Sequence, residues 1–157
     1  MLEGVITPVV TVFRQDSSID YAKTQDFIRE LVSRGINGIF VAGGTGEYTL
    51  LSIEERKQLF AAGVEAVGGK VPLLAGTGHN STQIAVELSQ AAEEAGADAV
   101  VLSLPHYPAP TQKELFNHFK VVSENISIPI IIYNWPSGTG LNISPKIVSE
   151  LAENGYV

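Results

Sequence analysis

Short apolar runs recur along the chain, each followed by a helix-start signal and then by residues with helical spacing. The runs are Gly4-Val5-Ile6, Gly38-Ile39-Phe40-Val41, Val71-Pro72-Leu73-Leu74, Ala99-Val100-Val101-Leu102 and Ile130-Ile131-Ile132-Tyr133. Runs that are apolar at consecutive positions suit parallel strands buried on both faces. The helix-start signals fall at Asp20, Ser52, Asn80, Thr111 and Ser144. Ser52-Ile53-Glu54-Glu55 and Thr111-Gln112-Lys113-Glu114 are capping boxes, in which hydroxyl and carboxylate satisfy each other's free backbone N–H groups. Ser144 stands before Pro145, whose missing N–H is harmless at the first helical position. After the Asn80 cap, Ile84, Leu88, Ala91, Ala92 and Ala95 share one helix face. Gly35, Gly68 and Gly96 then close helices, as a left-handed C-terminal position prefers.

This pattern predicts five βα units, with Gly155-Tyr156-Val157 as the start of a sixth strand. Two α/β architectures accommodate it. One is a doubly wound sheet of the flavodoxin type. The other is the first part of a (β/α)8 TIM barrel, which typically takes roughly 250 residues. Periodicity does not separate them, and in both the loops at the carboxyl ends of the strands carry the chemistry.

Composition narrows the classes of function. With 157 residues, 45% hydrophobic and 17% charged, the chain has the makings of one ordered domain rather than a disordered segment. The net charge is −7 and the ten basic residues are scattered, which argues against a nucleic-acid or anionic-membrane partner. The absence of cysteine excludes disulfides, thiolate metal sites and a cysteine nucleophile. His79, His106 and His118 lack metal-ligand spacing, so neither a metal nor another cofactor is expected. The first residues carry no signal-peptide pattern, and runs such as Ile130-Ile131-Ile132 are too short to span a bilayer. A cytoplasmic location is the expectation.

Three of the loops that follow the strands hold candidate chemistry. Gly43-Gly44-Thr45-Gly46-Glu47 follows the second strand, yet no lysine succeeds its last glycine, so it is not a P-loop. Counted from Gly44, the last position of a dinucleotide fingerprint is Thr49 rather than glycine, and Glu47 would oppose a phosphate. Two readings stay open. Its backbone N–H groups and the Thr45 hydroxyl hold a smaller anion such as a carboxylate, or the glycines merely make the turn. The fourth loop, Ser103 to Thr111, is stiffened by Pro105, Pro108 and Pro110 and displays Tyr107, as an interface residue would be displayed. The fifth begins at Tyr133, a phenol closing an otherwise aliphatic strand, and continues Asn134-Trp135-Pro136-Ser137-Gly138.

Together these loops carry a resemblance. With Gly43-Gly44-Thr45-Gly46-Glu47, Pro105-His106-Tyr107, Tyr133-Asn134-Trp135-Pro136 and the opening Gly4-Val5-Ile6-Thr7-Pro8, the chain resembles the dihydrodipicolinate synthase/N-acetylneuraminate lyase family. These are class I aldolase-type lyases built on a (β/α)8 barrel. The resemblance runs from end to end and favours the barrel: residues 1–157 become a single incomplete barrel domain of about five βα units plus the start of strand six.

The resemblance implies a chemistry. A lysine forms a Schiff base with the keto carbon of pyruvate or a related 2-oxo acid, and the iminium serves as an electron sink for C–C bond formation or cleavage. Thr45, with Gly44 in the same turn, would bind the substrate carboxylate. Tyr133 would move the proton. Tyr107 would support that relay across a subunit interface, implying a homo-oligomer. A phenol ionises near pH ~10, so such a relay relies on hydrogen bonding or a local positive field.

Departures from the family pattern bear on the substrate. Members that make dihydrodipicolinate usually have a second hydroxyl residue at the position of Gly44 and an arginine at that of Gly138. A sugar-derived 2-oxo acid, handled by an aldolase or a dehydratase, therefore fits at least as well as the lysine pathway. The family's Schiff-base lysine lies on the sixth strand, whereas Lys23, Lys57, Lys70, Lys113, Lys120 and Lys146 all fall in predicted helices or helix-strand connections. The nucleophile is expected beyond Val157. The competing expectations are a catalytically inactive half-barrel that oligomerises or binds 2-oxo acids weakly, and a self-sufficient flavodoxin-like binding domain.

Overall fold

Every apolar run contributes a strand, and the strands lie side by side in chain order. In the computed structural model, which describes residues 2–157, the strands are β1 (Ile6–Pro8), β2 (Gly38–Val41), β3 (Leu73–Gly76), β4 (Ala99–Ser103) and β5 (Ile130–Tyr133). They form one sheet of order β1-β2-β3-β4-β5, parallel throughout. A flavodoxin-type sheet has its first strand inside the sheet, in the order 2-1-3-4-5. Sequential order with no reversal is the winding of a barrel arc, so the doubly wound alternative is excluded.

The two faces of the sheet explain why the strands are apolar at consecutive positions. Ile39, Val41, Leu73, Ala75, Val100, Leu102 and Ile130 pack on one side with Ile28, Phe60, Leu88, Leu115, Phe119 and Leu151 from the helices. The intervening positions Leu74, Ala99 and Val101 form a separate cluster with Ile6, Phe40 and Ile131 that contains no helix residue. The five longer helices therefore cover one face, and the other is the concave interior of the arc. The helices α1 (Tyr21–Ser33), α2 (Ile53–Val67), α3 (Thr82–Ala95), α4 (Gln112–Ser123) and α6 (Pro145–Glu153) pack neighbour against neighbour around it. A short α5 (Pro136–Thr139), not foreseen from the pattern, starts with Pro136 in its first turn.

The capping chemistry holds with one exception. Asp20 accepts from the Lys23 amide, both capping boxes are closed, and Ser144 accepts from the Ile147 amide. α3, however, is capped by Ser81, whose hydroxyl accepts from the Ile84 amide, not by Asn80. Asn80 is engaged elsewhere, as described below. β1 and β3 also begin two residues later than Gly4 and Val71. Gly4 is in the left-handed region at φ +74°, and Pro72 has no N–H to give to a ladder. Tyr156 and Val157, the expected start of a sixth strand, form no ladder pairs; the Tyr156 amide turns back to the Leu151 carbonyl. Among the described residues no helix is long and apolar enough to cross a membrane.

Candidate functional site

Parallel pairing brings the carboxyl ends of all five strands to one edge, so the loops that follow β1 to β5 meet there. The loop after β2 is built from consecutive tight turns. Gly46 N–H donates to the Gly43 carbonyl and Glu47 N–H to the Gly44 carbonyl, each at 3.0 Å. Ala42 and Glu47 bracket them with left-handed backbone at φ +51° and +58°. Tyr48–Leu50 then forms a single 3-10 turn leading to α2. The Thr11 hydroxyl donates to the Gly46 carbonyl at 2.7 Å in a buried setting, tying this loop to the one after β1. Thr45 is exposed at the crest. At Gly44 an added Cβ would meet nothing within 4 Å.

Tyr133 pairs with Ser103 in the last rung between β4 and β5. Strand side chains alternate, so Tyr133 shares the face of Ile131 and Val101, the concave side, and it is 48% exposed. Tyr107 is 79% exposed. Its loop is nonetheless anchored, because the Asn80 Oδ1 accepts from the amides of His106 at 2.8 Å and Tyr107 at 3.2 Å. That is the work Asn80 does in place of capping α3. Thr45, Gly44, Tyr107 and Tyr133 all lie on this edge of the sheet. Among the described residues no hydrogen bond joins the tyrosine hydroxyls to Thr45 or to each other.

In the fifth loop the Asn134 amide donates to Asn142 Oδ1 at 2.7 Å, and Asn134 Oδ1 accepts from the Ile143 amide. Trp135 folds over Gly138, where an added Cβ would fall 2.3 Å from its ring. The position at which the resemblance anticipates an arginine thus has no room for a side chain while Trp135 keeps this orientation.

Some residues that shape the site were not singled out from the sequence. Arg56 of α2 is only 3% exposed. Its Nη2 donates to the carbonyls of Gly76 at 2.5 Å and Gly78 at 3.2 Å, and its guanidinium lies 5.1 Å from the centre of the Tyr48 ring. Burial pulls its pKa down to about 10, with Tyr48 acting in the opposite sense, so the group stays cationic at neutral pH. The Tyr48 hydroxyl lies 3.2 Å from the Ser103 hydroxyl. These groups line a cavity of about 300 Å³ together with His79, Asn80 and His106. A signal for Arg56 existed: it interrupts the apolar stripe Ile53, Phe60, Gly63 and Val67 of α2. Farther along, the buried His118 ring meets Thr82 Oγ1 through Nδ1 at 2.9 Å, while its Nε2 has no partner. Burial, then the nearby His79, pushes the His118 pKa down to about 4. Among the described residues no cluster of three or more His, Asp or Glu could hold a metal ion.

A sequentially wound parallel arc with its polar loops at the carboxyl ends is part of a (β/α)8 barrel of the kind that carries enzyme sites on that edge. The chain belongs to the dihydrodipicolinate synthetase family, whose profile matches residues 1–157. It is 44% identical to the 4-hydroxy-tetrahydrodipicolinate synthase of Fervidobacterium nodosum over 154 residues, 98% of this chain and 52% of that protein. A prophage protein of the dihydrodipicolinic acid synthase family from E. coli K12, solved in complex with pyruvate, superposes with a TM-score of 0.93 at 36% identity, over 96% of this chain and 51% of its own. The 4-hydroxy-tetrahydrodipicolinate synthase of Methylacidiphilum fumariolicum SolV gives a TM-score of 0.95 at 35% identity, covering 100% of this chain and 52% of its own. The chain spans about half the length of the curated relatives it matches.

Proposed function

We propose that this chain supplies the carboxylate-binding turn and the proton-carrying tyrosine of a lyase that makes or breaks a C–C bond beside a 2-oxo acid of the pyruvate type. The observation that carries this reading is the shared edge: Thr45 stands exposed after β2, and Tyr133 ends β5 on the concave face of the same parallel sheet. The N–H groups and hydroxyl of the Thr45 turn suit a carboxylate, and a phenol at the strand end suits proton transfer at the adjacent carbon. The bond-making nucleophile is a lysine that forms the Schiff base. Lys23, Lys57, Lys113, Lys120 and Lys146 lie on helices and Lys70 between α2 and β3, so the reading assigns the nucleophile to a strand following Val157. Tyr107, exposed on an anchored loop, meets the relay of a second subunit in a cytoplasmic homo-oligomer.

Gly44 and the Trp135-covered Gly138 make a sugar-derived 2-oxo acid, as substrate of an aldolase or a dehydratase, fit at least as well as the lysine-pathway aldehyde. A carboxylate-bearing second substrate would find no arginine at position 138 to grip it.

Reduction with borohydride in the presence of pyruvate, followed by intact mass, tests the reading. The 157-residue chain should acquire no stoichiometric adduct, whereas the chain continued through a sixth strand bearing a lysine should acquire one. In that longer protein Tyr133→Phe should slow adduct formation without unfolding it. A stoichiometric adduct on the short chain, or an unchanged rate with Tyr133→Phe, would remove the corresponding assignment.

A further inference from the structure

Arg56 is a buried cation with no carboxylate beside it among the described residues. Burying a charge is unfavourable unless it is hydrogen-bonded, and here Nε has no partner while Nη2 does, so the contacts of Nη2 and of the guanidinium face show what the group holds. Its partners are the Gly76 and Gly78 carbonyls, at and just past the end of β3, and the face of Tyr48. Both lead to the turn that carries Thr45. The backbone at Gly76 is so close to that turn's first residue that an added Cβ would lie 2.0 Å from the Ala42 carbonyl. At the turn's other end, Tyr48 follows Glu47 directly and is tied through its hydroxyl to Ser103 of β4. One guanidinium therefore grips what the turn rests on and also the residue in which it ends.

We infer that Arg56 is the positioning residue of the Thr45 turn, fixing its amides relative to the ends of β3 and β4. Without it, the Gly76 and Gly78 carbonyls lose a donor and Tyr48 loses the cation under its ring, and the turn is left with its internal hydrogen bonds, the Thr11 bond to Gly46 and the Tyr48–Ser103 contact. The inference names the residue that holds the site described under the proposed function, and its relevance to catalysis rests on that reading.

Amide exchange read by NMR on the 157-residue chain separates positioning from general support. Arg56→Met, of similar length but without charge or donors, should speed exchange at Gly46, Glu47 and Tyr48 by about tenfold more than at Ala85 and Leu115 in α3 and α4. Arg56→Lys, which keeps a cation and a donor but not the planar face, should restore part of the protection, and it carries the comparison alone if Arg56→Met does not fold. Titration with pyruvate is a separate arm. Shifts at the Thr45 and Gly46 amides in the unmodified chain support the carboxylate reading, and their absence counts against that reading while leaving the exchange result to decide on Arg56. Exchange at residues 46–48 that rises only in step with α3 and α4, or does not rise in either variant, overturns the positioning role.

Discussion

Position 44 has room for a side chain and position 138 does not, although each is a glycine in a loop at the same edge of the sheet. At Gly44 the backbone is outside the left-handed region and an added Cβ meets open space. Gly44→Thr should therefore fold without strain and gain up to about 1 kcal/mol, because the unfolded chain loses freedom that the folded loop never used. Urea titration checks this, and a loss of stability would show that the turn needs glycine for its backbone. Gly138→Ala behaves differently, since its Cβ collides with Trp135 ring atoms that must swing away. The expected loss is about 1 kcal/mol, accompanied by a red shift in emission from Trp135, the sole tryptophan. Unchanged emission would mean that the ring does not cover Gly138 in solution. The sequence showed that these positions lack a hydroxyl and an arginine. It did not show that one is vacant and the other covered, because Trp135 meets Gly138 through the short helical turn that follows it, whose Gly138 and Thr139 amides donate to the Trp135 carbonyl, rather than through any spacing rule.

Between α3 and α4 the buried His118 sets a pH dependence that belongs to the helix pair rather than to the catalytic edge. Its Nδ1 meets Thr82, its Nε2 is unpartnered, and the titratable neighbours are His79 and, on its own helix one turn earlier, Glu114. The folded-state pKa of about 4 lies below the ordinary value of 6.5, so the unfolded chain takes up the proton first. Stability is complete above pH 6.5, falls as pH drops through that value and levels near 4, by roughly 2–3 kcal/mol from this group. His79, also lowered by burial and by Arg56, acts in the same direction. Glu55 and Glu114 are held below the usual carboxylate range by their capping contacts, and their contributions are lost at lower pH. Urea unfolding at pH 8, 6 and 5 should show a steep decline that His118→Gln flattens; parallel slopes would remove His118 as the cause. The helices themselves were legible, because caps and periodicity are local: four of five N-caps, both capping boxes and the closing glycines are where the pattern places them. The exception is instructive. Asn80 and Ser81 are equally good caps on paper, and Asn80 is drawn off by the amides of a loop 26 residues later, which no local rule reveals. The buried roles of Arg56 and His118 are not legible locally for the same reason, since Gly76, Gly78 and Thr82, to which they bond, come from neighbouring βα units.

At the scale of the whole molecule, periodicity left a barrel and a doubly wound sheet equally open, because both use the same βα unit. Loop motifs favoured the barrel, and the strand order decides it. That order also has a physical consequence for the chain on its own. Among the described residues β1 and β5 each have one sheet neighbour, so each presents a row of backbone groups on its outer side. The concave face between them carries Ile6, Phe40 and Ile131, only partly buried around Leu74, Ala99 and Val101. Unpaired parallel edges beside an apolar concave surface recruit further strands. The 157-residue chain should therefore associate with itself as its concentration rises from micromolar to tenths of millimolar, seen as increasing mass in sedimentation velocity. Ile131→Lys puts a charge on the concave face of the edge strand β5 and should suppress that association while leaving the helix-side core intact. A chain that stays monomeric throughout, or an Ile131→Lys variant that associates as strongly, would mean that the edges are already blunted, and the concave face would then have to be closed by the arc's own loops.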